Sequence, residues 1–319
     1  MPAVIAHWAM EKRVRAALRA RGVALPDAAL CQIGAQGPDV FYFHRAFPWQ
    51  PGRSYAAYGL GLHQVSPRAL FRACGAARKA CPARAAEFDA LTAGLLCHYA
   101  LDRTAHPFVL YWQERLQALD PTYARRHNFY HYRIESALDV LSLRRETGRS
   151  VKDFALTMTI PRDPRAAEPF GVFYAFLFEK MFGAPADAAH TALAVRDMRE
   201  AMGWMNDPHE CKRRYVLRPL ESALRLGHVA TSLLRPSDVS DFDYGNEAHR
   251  RWCNPFTGEG ESTASYFDLF DRAVADATDL IETYLRDPNA AAELTGDRGF
   301  ASDRPGIYGE LDRKAETGA

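Results

Sequence analysis

The stretch 91–108, LTAGLLCHYALDRTAHPF, places His98, Asp102 and His106 at steps of four. An α-helix turns about 100° per residue, so each step of four lands roughly 40° from the last. The three side chains therefore share one stripe of a helix that also carries Leu95, Leu96, Tyr99 and Leu101. So apolar a helix is expected to be buried. A buried Asp102 then needs a partner, because a lone charge in the interior is very costly. His131 and Glu135 repeat the step of four in the next segment, RRHNFYHYRIESALD. Two facing helices can thus bring three imidazoles and two carboxylates to one cleft.

Imidazole nitrogen and carboxylate oxygen are the donors that suit zinc in sites that keep a position open for water. Taken singly, either step of four also reads as a hydrogen-bonded buried His–Asp or His–Glu pair. Two such pairs with His106 beside them favour a metal. His127 also lies four residues from His131 and rivals it, but only His131 has a carboxylate four residues on. Pro107 follows His106 directly. Proline removes a backbone donor and disfavours α geometry in the residue before it. A kink or helix end is expected there, swinging His106 away from His98 and Asp102 to serve a different ion.

The remaining segments read as helices at about 5–21, 27–35, 82–112, 170–182, 188–204, 210–226 and 265–285, with no convincing strand alternation. The expected fold is all-α: one helical domain over 1–290, then a polar C-terminal tail over 291–319, frayed from Gly296 on. Seven of the eleven histidines lie in the first 131 positions, which puts any metal set there. Asp39 follows Gly37-Pro38, where on its own it reads as a turn or cap residue. Val40 to Phe43 are expected to pack inward. Phe41, Phe43 and Phe47 are the only candidates for an apolar approach surface, although a core role suits them better. His44 reads as partly exposed, His63 as a loop residue, and His190, His209 and His228 as structural or exposed. Trp252 is expected to plug the core.

Composition excludes several classes. With 319 residues, 48% hydrophobic and 25% charged, the chain is ordinary globular material. A net charge of +1 leaves no polybasic footprint, so no nucleic-acid partner is expected. No uncharged run reaches the ~18 residues of a transmembrane helix. The six cysteines (Cys31, Cys74, Cys81, Cys97, Cys211, Cys253) form no C-x-x-C and read as buried thiols of a reducing compartment. The opening MPAVIAHWAMEKRV does not read as a secretory signal. A cytoplasmic location is the expectation. No H-E-x-x-H occurs, and no histidine has Glu three residues before it. This argues against the familiar zinc-protease and di-iron patterns.

At these residues the sequence resembles the zinc-dependent phospholipase C family, whose fold is shared with the S1/P1-type nucleases. The resemblance is carried by HWAMEKRV, GAQGPDVFYF, the segment around His63, GLLCHYALDRTAHPF and HYRIESALD. HRRWCNPFTGEGESTASYFDLF is similar to the intracellular bacterial branch. The likeness runs from His7 to the end of the last long helix. It implies a helical bundle of the phospholipase C / P1 nuclease type with two or three zinc ions. His63, His98 and Asp102 would hold one ion and His106, His131 and Glu135 a second, with His7 and a shared Asp102 serving a third. Asp39 matches the acidic residue proposed as general base or water-orienting group.

The activity so implied is phosphoester hydrolysis, a phospholipase C-like phosphodiesterase in which zinc activates water for in-line attack on phosphorus. The substrate would be a phosphoester, either a phospholipid headgroup or a soluble phosphodiester. Three departures are visible. The secreted enzymes bind the third ion through an N-terminal tryptophan, whereas this chain starts Met1-Pro2-Ala3. His106 follows Asp102 by four, where the secreted enzymes use a longer gap. Val40 and Leu60 stand where choline-caging aromatics would be, so phosphocholine recognition does not carry over. The alternatives are a nuclease-like phosphodiesterase on the same cluster and a non-catalytic or degenerate metal-binding helical protein.

Overall fold

The structure, a computed structural model, describes residues 3–25, 27–120, 128–226, 228–256 and 261–301. Among them the helices are α1 (Val4–Ala20), α2 (Ala28–Gln36), α3 (Ala56–Gln64), α4 (Pro67–Ala80), α5 (Ala85–Leu119), α6 (Asn128–Thr147), α7 (Ala167–Phe182), α8 (Ala188–Met205), α9 (Arg218–Ala223), α10 (Val229–Leu233), α11 (Tyr266–Arg286) and α12 (Pro288–Leu294). The only extended pairing among the described residues is one antiparallel bridge, Trp252 with Ser262. The all-α expectation holds.

Helix α5 is the axis of the molecule. Every residue from Phe88 to Asp102 is buried, and a helix buried all round has to be surrounded. Helices α1, α2, α4, α6, α7 and α11 pack on it. Against α2 the fit is backbone on backbone. A Cβ added at Gly94 would sit 2.3 Å from the Cys31 carbonyl oxygen, and one at Gly34 would sit 2.4 Å from that of Leu91. Only glycine on both helices allows that approach. One contiguous core runs from Val4 to Phe300 and includes Trp252, as expected.

Local chemistry explains several helix ends. Asp27 accepts from the Ala29 and Leu30 amides and starts α2. Ser265 and Asp268 form a reciprocal capping box on α11. Gly183, at φ 62°, closes α7. Helix α1 is different, because Ala3 offers no side-chain cap. Its first amides are met from a distance. Asp139 Oδ1, on α6, accepts from Ile5 N–H at 3.0 Å and Ala6 N–H at 2.8 Å. The buried Arg235 guanidinium grips Asp139 Oδ2 with Nε at 2.9 Å and Nη2 at 2.7 Å.

Several expectations are corrected. Helix α5 neither ends nor breaks at Pro107 but runs on to Leu119. Proline costs it one carbonyl partner, while buried Phe108, Val109 and Trp112 beyond it hold the helix in place. The 210–226 segment is not one helix: a π-helical turn, Lys212–Leu217, precedes the short α9. The chain does not leave the body at 291. Ala291, Ala292 and Phe300 are buried, and α12 packs on α4 and α11. The remainder of the expected tail, 302–319, lies outside the described residues. All six cysteines are free, but only Cys31, Cys74 and Cys97 are buried, and Cys211 is exposed. Among the described residues no helix is long and apolar enough to cross a membrane.

Candidate metal centre

Eight side chains converge about the middle of α5. His7 comes from the first turn of α1. Asp39 comes from the 3-10 turn Gly37–Phe43 that follows α2. His63 lies at the end of α3, so it is a helix residue and not the loop residue expected. His98, Asp102 and His106 come from α5, and His131 and Glu135 from α6. Each is at most 9% exposed. Asp102 is the hub. Its Oδ1 lies 3.4 Å from His7 Nε2. Its Oδ2 lies 3.2 Å from His98 Nε2, 3.9 Å from His63 Nε2 and 3.9 Å from His106 Nδ1. Asp39 Oδ1 is 3.2 Å from His63 Nε2. Glu135 Oε1 is 3.1 Å from His131 Nε2 and 3.8 Å from His106 Nε2.

The outer edges of four rings fix which nitrogen faces inward. His63 Nδ1 meets the Gly59 carbonyl at 3.0 Å, and His98 Nδ1 meets that of Ala35 at 3.2 Å. His106 Nδ1 meets the Phe300 carbonyl at 3.0 Å, and His131 Nδ1 meets the Gln113 side-chain oxygen at 3.0 Å. An oxygen of this kind can only accept, so each Nδ1 carries the proton and donates. In the neutral ring Nε2 is then a bare lone pair. Yet His63 Nε2 and His98 Nε2 are 3.3 Å apart, and both face carboxylate oxygens. Asp102 Oδ2 and Glu135 Oε2 are buried with no hydrogen-bond partner. Lone pairs converging on lone pairs in the interior call for positive charge, either protons on the rings or a cation among them.

The electrostatics are divided in the same way. Burial disfavours the ionised form of Asp102, but His106 and His98 overcome it and hold its carboxyl well below the usual range. Burial also works against a charged His98, yet Asp102 and then Asp39 outweigh it and raise that imidazole. His7, stacked on His98 with ring centroids 4.1 Å apart, is pushed down to about 3 by burial and by the His98 charge. It is kept as a neutral donor.

Three sets of donor atoms lie close enough to hold a metal ion: His7, Asp39 and His98; His63, His98 and Asp102; and His106, His131 and Glu135. The second and third sets are the ones the resemblance implies. Asp39, expected as a water-orienting or proton-accepting group, stands among the donors of the first. His106 does turn to Glu135 and His131, but without a break in α5. His127, the rival of His131, lies outside the described residues. His44 is buried, not partly exposed. It takes the Tyr55 N–H on Nδ1 at 2.9 Å and gives Nε2–H to the His190 carbonyl at 3.1 Å, away from the cluster. Phe41 is core, while Phe43 and Phe47 are half-buried against it.

The sequence reading missed the supports. Gln113 carries a signal: it lies seven residues after His106 on α5, two turns along the same face. Phe300 carries none. Its carbonyl holds His106, and its ring lies 5.1 Å from that of His63 and 6.0 Å from that of His98. Gly37, at φ 57°, leaves the space His98 occupies, since a Cβ there would lie 2.6 Å from its ring. No family model, no curated protein and no solved structure matches this chain.

Proposed function

We propose that this chain is a zinc-dependent phosphoester hydrolase of the phospholipase C / P1 nuclease type, binding two or three ions. The observation that carries the reading is the set of four imidazoles whose Nδ1–H groups are anchored outward and whose Nε2 atoms converge on Asp102, Asp39 and Glu135. Metal-ligating histidines are oriented in this way by their outer partners. The donor set is nitrogen and carboxylate oxygen with no thiolate, which suits zinc in a hydrolytic site. His63, His98 and Asp102 would hold one ion and His106, His131 and Glu135 another, with His7 and Asp39 beside His98 for a third. Bound zinc supplies Lewis acidity and makes a water nucleophilic near neutral pH.

The chain's own groups do the rest. Asp102, held ionised, keeps negative charge at the centre of the cluster. The carbonyls of Ala35, Gly59 and Phe300 and the Gln113 oxygen keep the rings in the tautomer that presents Nε2. Asp39 Oδ1 can orient a water or take its proton. The Phe300 ring excludes solvent on the His63 and His98 side. A second reading, metal retention without turnover, is favoured by one observation: His98 is fully buried and His7 nearly so.

The test is elemental mass spectrometry of protein purified without chelator, beside D102A, followed by a phosphoester screen. Two or more zinc equivalents, lost in D102A, together with turnover, support the hydrolase. Zinc without turnover selects the second reading. No metal after zinc is supplied would leave a protonated buried network and sink both. D39N separates the roles of Asp39. Metal kept with turnover lost assigns it to the water, whereas metal lost assigns it to the ligands.

A further inference from the structure

A second polar site lies on a different face of α6. Arg133 and Ser136 alternate with His131 and Glu135 along that helix. Here they line a cleft of about 260 Å³ together with Arg213, Arg218, Thr231 and Tyr244. Three guanidiniums share one small concavity. Burial, helped by the charges of Arg133 and Arg218, outweighs the attraction of Glu210 and makes the Arg213 guanidinium easier to deprotonate.

Two carboxylates, Asp238 and Asp241, line the cleft as well, and they and the nearby Glu210 are already engaged. Asp241 takes Arg133 and the Tyr244 hydroxyl. Glu210 takes Arg214 and both donors of Ser237. Asp238 takes Ser240. Among the described residues, neither the Arg213 nor the Arg218 guanidinium has a hydrogen bond or ion pair. Arg213, half-buried, and Arg218, exposed, carry like charge beside Arg133, and an anion in the cleft relieves their repulsion.

The backbone marks the same place. Arg213 sits in the π-helical turn Lys212–Leu217, a form found mostly at functional sites. His228, which lines the cleft, and Glu210, just before the π-helical turn, are both in the left-handed region at φ 56°. Neither is glycine, and such strain concentrates at ligand sites. The same segment exposes Val216, Leu220 and Leu224 at steps of four, with Tyr215 beside them.

We infer that the Arg133–Arg213–Arg218 cleft is a binding site for a phosphate group, separate from the metal centre. The inference does not depend on the hydrolase reading. Guanidinium forks match phosphate oxygens two at a time, and a cleft of about 260 Å³ has room for the phosphate and a small part of what carries it. The phosphate can come from a free anion or from a lipid headgroup, and the exposed apolar stripe beside the cleft makes the second source worth its own arm.

The test is calorimetric titration of the whole protein with inorganic phosphate at constant ionic strength. In parallel, the protein is co-sedimented with phosphatidylcholine vesicles with and without phosphatidylglycerol. Wild type is compared with R213A/R218A and with R286A, an exposed α11 arginine whose loss matches the charge change of R218A alone. Arg218 is exposed, so R218A alone is run as the variant least disturbing to the fold, with thermal melts on each. At least tenfold weaker phosphate binding in R213A/R218A, with R286A unchanged, supports the site for the free anion. Loss of sedimentation with the phosphatidylglycerol vesicles alone, in the same variant and not in R286A, supports the site with a lipid as source. No binding in either arm overturns the inference, as does binding unchanged by R213A/R218A.

Discussion

At the scale of the residue, the candidate centre depends on which imidazole nitrogen is free, and this is set one hydrogen bond away from the donors. Gln113 is the clearest case, because its side-chain oxygen holds His131 Nδ1–H while it is itself buried. Replacing it with leucine keeps the volume and removes the acceptor. Q113L is expected to weaken zinc binding about 10- to 100-fold with little loss of helix content. Competition titration against a chromogenic chelator measures this. Unchanged affinity would mean that the His131 tautomer is immaterial and that His131 is not a ligand.

At the scale of the element, two devices hold the donors in register. The first is the glycine contact between α2 and α5. G94A drives a Cβ into backbone atoms of Cys31 and Ala35 at 2.3 and 2.5 Å, which no side-chain rotation relieves. Overpacking of this kind typically costs about 1–3 kcal/mol. It also moves α5 relative to the turn that carries Asp39, so G94A is expected to lower both the denaturation midpoint and the zinc stoichiometry. The second device is the remote cap on α1. D139A leaves Arg235 buried without its partner and the α1 amides uncapped, and breaking a buried pair costs about 3–5 kcal/mol. A D139A protein as stable as wild type in urea would show that α1 is not held this way. D139N, which keeps an acceptor for the amides, is expected to fall between the two.

At the scale of the whole molecule, buried ionisable groups outside the cluster set opposing pH responses. His44 is pushed down to about 4 by burial, helped by the neighbouring His190, and its protonation displaces the Tyr55 amide. Below 6.5 the unfolded chain binds this proton and the fold does not. Stability is therefore complete above about 6.5 and is lost as pH falls toward 4. Glu11 behaves the other way. Burial raises it to about 7 from 4.5, in spite of Arg15, so the folded state holds a proton the unfolded state has released. Its contribution is present at low pH and is lost as pH rises through 7. Each shift corresponds to about 3 kcal/mol at most. Between pH 4.5 and 6.5 the two oppose each other, and the metal-free protein is expected to show a shallow stability profile there. In urea titrations across that range, E11Q should shift the slope toward stability rising with pH, and H44Q should shift it toward stability falling. Two variants with the wild-type slope would remove both groups from the account.

Chain spacing alone determined the helical class and the two halves of the donor set. A step of four on a buried helix makes a stripe, and it did so at His98 and Asp102 and again at His131 and Glu135. Caps such as Asp27 and Ser265 were equally local, because a side-chain oxygen two or three residues from an amide needs no tertiary partner. The resemblance added His7, Asp39 and His63, which no local period singles out. Three different elements carry them to α5, and only packing brings His7 and His63 within 4 Å of Asp102 and Asp39 within 4.8 Å of His98. Packing likewise overrode Pro107. A local breaker costs one carbonyl partner, and the burial of Phe108, Val109 and Trp112 outweighs it. The supports of the centre were hidden for the same reason. The Phe300 carbonyl lies 194 residues from His106 and Arg235 lies 96 from Asp139, and Arg133 meets Arg213 and Arg218 from a distant part of the chain, separations at which a sequence keeps no period and only the folded core sets the distance.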